Sequence, residues 1–205
     1  MSKHLLANEK SVLKAVEILQ NGGLIIFPTD TVYGLAANAT NETAIKQIFK
    51  IKKRAFNKPL GVLLANFKQI QCWANALPND AQKLSKLFWP GPMTLVLPAK
   101  SSINPLITAG QTTIGLRIPN HPWLLSLLSH FEQGLVTTSA NLSNHKSPTS
   151  IAELDKTITS QVNLIIDGGI CTIGQASTVI DLCQTPYKIL RQGTISEKDI
   201  NKALS

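Results

Sequence analysis

The stretch Leu24-Ile25-Ile26-Phe27-Pro28-Thr29-Asp30-Thr31-Val32-Tyr33-Gly34-Leu35 decides how the fold is read. Four apolar residues in a row make a short strand buried on both faces, and Pro28 closes it. A cluster of hydroxyl and carboxyl groups follows, where strand ends commonly present ligand groups. Taken alone, it is a polar turn that caps a strand. Upstream, residues 8–20 place Val12, Ala15, Val16 and Leu19 on one face of a helix that Gly22-Gly23 ends. Downstream, Asn41 caps a second helix whose apolar positions are Ala44, Ile45, Ile48 and Phe49.

The alternation continues to the end of the chain. Leu60–Ala65 reads as a strand, residues 79–88 as a helix broken by Trp89-Pro90-Gly91-Pro92, and Met93–Leu97 as a strand. Ile114, Leu116 and Ile118 face one way while Gly115 and Arg117 face the other. A helix opens at His121-Pro122, and Leu135–Thr138 is a strand running into a polar loop, 139–149. Ser150–Glu153 has the capping-box pattern, and Ser196–Asp199 a looser acidic form of it at the last helix. Between them lie three short apolar runs, Val162–Ile166, Thr178–Leu182 and Lys188–Leu190. Strands outnumber what strict βαβ alternation supplies. The fold class predicted is therefore α/β, a twisted mixed sheet with flanking helices. No repeat, low-complexity tract or linker splits residues 1–205, so one domain is expected.

Composition narrows the function. Of 205 residues, 43% are hydrophobic and 16% charged, which suits a packed core and excludes a disordered tail. Lys+Arg number 20 against 12 Asp+Glu, a formal charge of +8 that favours phosphate-bearing partners such as nucleotides or RNA. Cys72, Cys171 and Cys183 form no Cys-x-x-Cys pair and have no ligand-like spacing to the four histidines, so neither zinc nor a disulfide scaffold is expected. No secretory signal and no apolar run of membrane-spanning length is visible, so a soluble cytoplasmic protein with no membrane role is expected. There is no Gly-x-x-x-x-Gly-Lys-Ser/Thr loop, no Gly-x-Gly-x-x-Gly after a strand and no Gly-x-Ser-x-Gly elbow. A nucleotide site here must be of another design.

Other segments join the polar cluster: Ile48-Phe49-Lys50-Ile51-Lys52-Lys53-Arg54, Lys58-Pro59-Leu60, Trp89-Pro90-Gly91-Pro92-Met93-Thr94 and Gly115-Leu116-Arg117-Ile118-Pro119. Then come Thr138-Ser139-Ala140-Asn141-Leu142-Ser143, Ala176-Ser177-Thr178-Val179 and Leu190-Arg191-Gln192-Gly193. In that order the set resembles the YrdC-type family of threonylcarbamoyl-adenylate synthases, over roughly residues 8–195. The resemblance implies a YrdC-like domain and an enzyme that converts L-threonine, bicarbonate (or CO2) and ATP into threonylcarbamoyl-AMP and pyrophosphate. That product feeds N6-threonylcarbamoyladenosine (t6A) at position 37 of tRNAs reading ANN codons. It also implies Mg²⁺ with the ATP, protein partners for transfer to tRNA and weak tRNA binding. Longer members carry an extra C-terminal domain, so this chain is expected to be the short bacterial form. One departure is visible: Ala55 stands where the family's basic motif usually has proline, which loosens that loop.

On the same resemblance, Lys52 and Arg54 are the catalytic candidates. The candidates for binding ATP and L-threonine are Thr31, Lys52, Arg54, Lys58, Thr94, Arg117, Ser139, Asn141, Ser143, Ser177 and Arg191. Triphosphate and amino-acid carboxylate are strongly anionic, and arginine's planar fork suits both. Lys52 and Arg54 would point about 200° apart on one continuous helix, so they can serve one pocket only if the helix ends near Ile51. Each has a plainer reading: a solvated strand arginine at 117, a basic helix end at 52–54, a turn at 139–141, a surface ion pair at 191. His121 and the three cysteines are assigned no chemistry. Two other functions compete: an RNA-binding module with a basic concave surface, and a carbamoyl-adenylating relative. The first has only 5% aromatic residues for stacking. The second belongs with zinc-finger regions that this sequence does not contain.

Overall fold

The computed structural model describes residues 3–205. Its strands are β1 (Lys3–Leu6), β2 (Ile25–Phe27), β3 (Gly34–Asn38), β4 (Gly61–Leu63), β5 (Met93–Pro98), β6 (Thr113–Arg117), β7 (Leu135–Ser139), β8 (Leu164–Asp167), β9 (Thr178–Asp181) and β10 (Lys188–Arg191). Its helices are α1 (Glu9–Gln20), α2 (Glu42–Lys52), α3 (Ile70–Trp73), α4 (Asn79–Phe88), α5 (Pro105–Thr108), α6 (Pro122–His130), α7 (Lys156–Thr159) and α8 (Glu197–Leu204). All ten strands join in one sheet, in the order β1-β8-β2-β3-β7-β4-β6-β5-β9-β10. Pairs β1/β8, β2/β8, β4/β6 and β5/β9 are parallel and the other five antiparallel, so the mixed sheet expected from the sequence is the one observed.

Helix ends follow local chemistry. Asn8 and Ser11 cap α1 reciprocally, each side chain accepting the other's backbone N–H at 3.0 Å. Ser196 and Asp199 do the same for α8. Ser150–Glu153 does not. There the Glu153 carboxylate accepts from Thr149, N–H at 2.7 Å and hydroxyl at 2.9 Å, and only a 3₁₀ turn follows Ser150. A carboxylate satisfied from one residue upstream of the expected cap has no reason to complete the box.

Two apolar layers sandwich the sheet. On one face α2, α4 and α8 contribute Ile45, Ile48, Phe49, Leu84 and Ile200 to a core with Ile26, Leu35, Val62, Leu95, Leu116 and Ile180. On the other, α1 and α6 contribute Leu19, Leu124, Leu127 and Leu128 to a core with Ile25, Phe27, Ala36, Leu135 and Ile166. Removing one such leucine side chain costs about 2–5 kcal/mol. That second layer covers β8, β2, β3 and β7 and reaches only as far as Leu63 of β4. The continuation of the same face across β6, β5 and β9 lies open, and there the site forms.

Candidate active site

A cavity of about 540 Å³ stands on that open face. Its floor is set by strand register. Gly61 lies opposite Gly115, Gly115 opposite Val96, and Val96 opposite Asp181, giving one row across four strands. In the next row Leu63 lies opposite Arg117, and Val179 opposite Arg191. Two glycines side by side keep the middle of the floor at backbone level. Residues 29 and 31–34 from the β2–β3 connection, Thr137–Ser139 of β7 and Ala176-Ser177 form the walls, with Arg54 and Pro59 at the side.

Three arginines reach this cavity from three elements. Arg117, at the end of β6, is 7% exposed, and every nitrogen of its guanidinium is engaged. Nε donates to Gly91 O at 2.9 Å, one terminal nitrogen to the Thr31 hydroxyl at 2.9 Å, and the other to Asp30 Oδ1. Burial lowers its pKa and the Asp30 carboxylate raises it. Arg191 ends β10 and donates to Ser177 twice, to O at 2.9 Å and to the hydroxyl at 3.0 Å; Thr94 shares that hydroxyl at 2.9 Å. Burial lowers the Arg191 pKa, and the charges of Arg117 and Arg54 lower it further. Arg54 donates to carbonyls of its own loop, Lys58 O at 3.2 Å and Pro59 O at 2.7 Å. Among the described residues no carboxylate pairs with Arg54 or Arg191.

The end of α2 explains how Lys52 and Arg54 sit side by side. The helix stops at Lys52, one residue beyond the expected end, and Lys53 adopts the left-handed conformation (φ 48°, ψ 43°). The chain turns there, Arg54 swings toward the cavity, and Lys53 is left exposed. Lys52 goes inward to 1% exposure. Its ammonium donates to Ser139 O, Asn141 O and, at 3.4 Å, Asn141 Oδ1. Burial and then Arg54 push the amine down to about 7. The three oxygens oppose this, one for each ammonium proton.

Of the candidates from sequence, Thr31, Arg54, Thr94, Arg117, Ser139, Ser177 and Arg191 line the cavity, and Lys52, Lys58, Asn141 and Ser143 do not. Lys52, Asn141 and Ser143 form the support behind it, and Lys58 lies exposed on the Arg54 loop. Lys52 O accepts from Ser143 N at 3.0 Å, Asn141 holds Leu142 O and His145 O, and Lys58 reaches Asn144 Oδ1 at 3.1 Å. The Ser143 hydroxyl is buried without a partner. Sequence reasoning passed over Asp30, Gly61, Gln111, Thr113, Thr137 and Asp181. The available signal was a glycine in a strand, which marks close approach of another group, and Asp30's place beside Thr31. Among the described residues no group of three or more His, Cys, Asp and Glu could hold a metal. His121 accepts from Leu124 N at 3.4 Å and serves as the cap of α6.

Known proteins match this chain in sequence and fold. A family model described as "Telomere recombination" (Sua5/YciO/YrdC) matches residues 17–193. A threonylcarbamoyl-AMP synthase of Pyrococcus abyssi is 41% identical over 93% of this chain and 56% of its own length. One of Bacillus subtilis is 35% identical over 100% of this chain and 59% of its own. The chain thus spans a little over half the length of these curated relatives. The crystal structure of P. abyssi Sua5 complexed with L-threonine superposes with a TM-score of 0.93 at 39% identity, covering 100% of this chain and 60% of that one. With that family model matching most of its length, this chain belongs to the Sua5/YciO/YrdC family.

Proposed function

We propose that this protein, folded as one YrdC-like domain over residues 1–205, synthesises threonylcarbamoyl-AMP and pyrophosphate from L-threonine, bicarbonate or CO2, and ATP. One observation carries the reading: Arg54, Arg117 and Arg191 converge on a single cavity, and among the described residues only Arg117 of the three has a carboxylate partner. Relatives named threonylcarbamoyl-AMP synthase and a neighbour complexed with L-threonine support this choice of substrates.

In this reading the neutral threonine amine adds to CO2 and gives up a proton to water, and the carbamate oxygen attacks the α-phosphorus of ATP. Pyrophosphate leaves with the bonding electrons. Carbamates revert readily, so the protein contributes position, charge compensation and exclusion of water. Arg54 and Arg191, whose charges are unbalanced, suit the polyanionic phosphates. Arg117, already balanced by Asp30, suits the single carboxylate of threonine through its remaining N–H groups. Thr31, Thr94, Ser139 and Ser177 supply neutral hydrogen bonds. Lys52 acts behind Ser139 by holding its backbone. Magnesium would arrive on the triphosphate, held by phosphate oxygens and water, which the donor set around the cavity suits better than a protein cage. The labile product then requires protein partners that pass the threonylcarbamoyl group to tRNA for t6A. A net charge of +8 suits a weak encounter with that tRNA, and these substrates suit a cytoplasmic enzyme.

The test is to incubate purified protein with ATP, Mg²⁺ and bicarbonate, with and without L-threonine. Pyrophosphate and a labile threonine-containing adenylate should form only with threonine. Pyrophosphate formed equally well with carbamoyl phosphate and no threonine would mean a carbamoyl-adenylating enzyme. No turnover together with salt-sensitive RNA binding would mean a binding module.

A further inference from the structure

Among the described residues Asp30 is the one carboxylate bonded to the arginine cluster, and it is 4% exposed. Its Oδ1 accepts from Arg117, whereas Oδ2 is buried with no partner at all. A buried carboxylate oxygen left unsatisfied is costly, and native proteins keep few of them. Its backbone oxygen is occupied too, accepting from Ile173 N at 2.9 Å and the Thr172 hydroxyl at 3.3 Å. The main chain around Asp30 is therefore anchored independently of its side chain, which leaves the side chain's effect on Arg117 as its distinct contribution.

We propose that Asp30 is a positioning residue that sets both the orientation and the net charge of Arg117. Gly91 O, the Thr31 hydroxyl and Asp30 Oδ1 engage one N–H on each of the three guanidinium nitrogens. The plane of the guanidinium is thereby fixed, and one N–H on each terminal nitrogen remains for a ligand. Charge balance matters as much as direction. Without Asp30, three uncompensated arginines would share one cavity, and the nearest anion, whichever it was, would be drawn to all three. With Asp30, Arg117 becomes a directional donor with little excess charge, so a triphosphate is sorted toward Arg54 and Arg191 and a monoanionic carboxylate toward Arg117. Asp30 thus acts on which substrate goes where, through Arg117 rather than by touching either. This rests on the reading of the substrates given above.

The test compares Asp30→Asn, which keeps the shape and an acceptor oxygen, with Asp30→Glu, which keeps the charge. For Asp30→Asn the KM for L-threonine should rise about ten- to hundredfold, as for loss of a charged hydrogen bond, while the KM for ATP moves less than about threefold. Asp30→Glu should recover part of the threonine KM. A KM does not depend on the fraction of folded enzyme, so a merely structural Asp30 would lower the melting temperature and leave both KM values unchanged. That result, or an equal rise in both, would overturn the proposal. A second measurement needs neither variant nor turnover. In wild-type protein labelled with ¹⁵N-arginine, the Arg117 terminal N–H resonances should be resolved by hindered rotation and protected from exchange. A freely rotating Arg117 guanidinium would overturn the proposal. A fixed one in a protein that makes no threonine-dependent pyrophosphate would instead overturn the reading of the substrates.

Discussion

Arg117 and Arg54 serve one cavity and are held in opposite ways. Arg117 projects from a strand in the middle of the sheet and bonds Gly91, Thr31 and Asp30, which come from two distant parts of the chain. Arg54 sits on the loop that follows α2 and bonds only Lys58 and Pro59 of that same loop. A cation held by long-range contacts is fixed by the fold itself. One held by its own loop can exchange those carbonyls for a ligand at small cost, because water or the ligand replaces them. On the proposed function, the rigid group would aim one substrate and the adaptable one would close on the other.

The contrast predicts unequal consequences of mutation. Arg117→Ala should have the largest effect, because it removes the ligand donors and leaves Asp30 as a buried unpaired charge. Urea denaturation should show a loss of about 3–5 kcal/mol, with threonine-dependent pyrophosphate release abolished. Arg54→Ala should lower that activity about 10- to 150-fold with the urea midpoint nearly unmoved. An Arg54→Ala protein that unfolds as readily as Arg117→Ala would erase the distinction. Lys52→Met leaves the carbonyls of Ser139 and Asn141 without their donor. It should cost about 1–3 kcal/mol in the same denaturation assay and reduce activity through the displaced Ser139. Lys46→Ala and Lys53→Ala should do least. Lys46 pairs with Glu42 on an exposed helix face and Lys53 points to solvent, so activity should stay within about threefold of wild type. Equal losses in Arg54→Ala, Lys53→Ala and Lys46→Ala that track ionic strength would reduce the basic segment to a diffuse electrostatic face.

Much of this was legible in the chain, for identifiable reasons. Strands with a buried and an open face, such as Met93–Pro98 with its strict buried/half-buried alternation, announce themselves by period. Gly34–Asn38 does not. All five of its residues are buried, and Gly-Leu-Ala-Ala-Asn has little intrinsic strand preference, so it is a strand because β2 and β7 pair with it on either side. Lys3–Leu6 was missed for the opposite reason: it is a short, exposed edge strand defined only by its pairing to β8. At the site, the resemblance to the family supplied groups that do gather, since seven of its eleven candidates line one cavity. It could not separate the lining from its support. Lys52 and Arg54 are alike in charge and two residues apart, and only the left-handed turn at Lys53 sends one behind the wall and the other to its side. Asp30 was hidden among the hydroxyl-bearing residues of its stretch because its importance lies in a partner 87 residues away.

Gly61 of the floor sets folding stability against function. A methyl group added at Gly61 would meet nothing nearer than 3.8 Å, so the fold has room for alanine there. Alanine would also shrink the conformational freedom of the unfolded chain, a gain of about 0.4–1 kcal/mol where the backbone permits it. Selection for stability alone would therefore replace this residue. An opposing pressure comes from a ligand resting on the floor, since an added methyl group would lift a flat or closely fitted one away from the strands. Gly61 is thus a position where a library screened for thermal resistance and one screened for turnover should diverge, the first accumulating alanine and the second rejecting it.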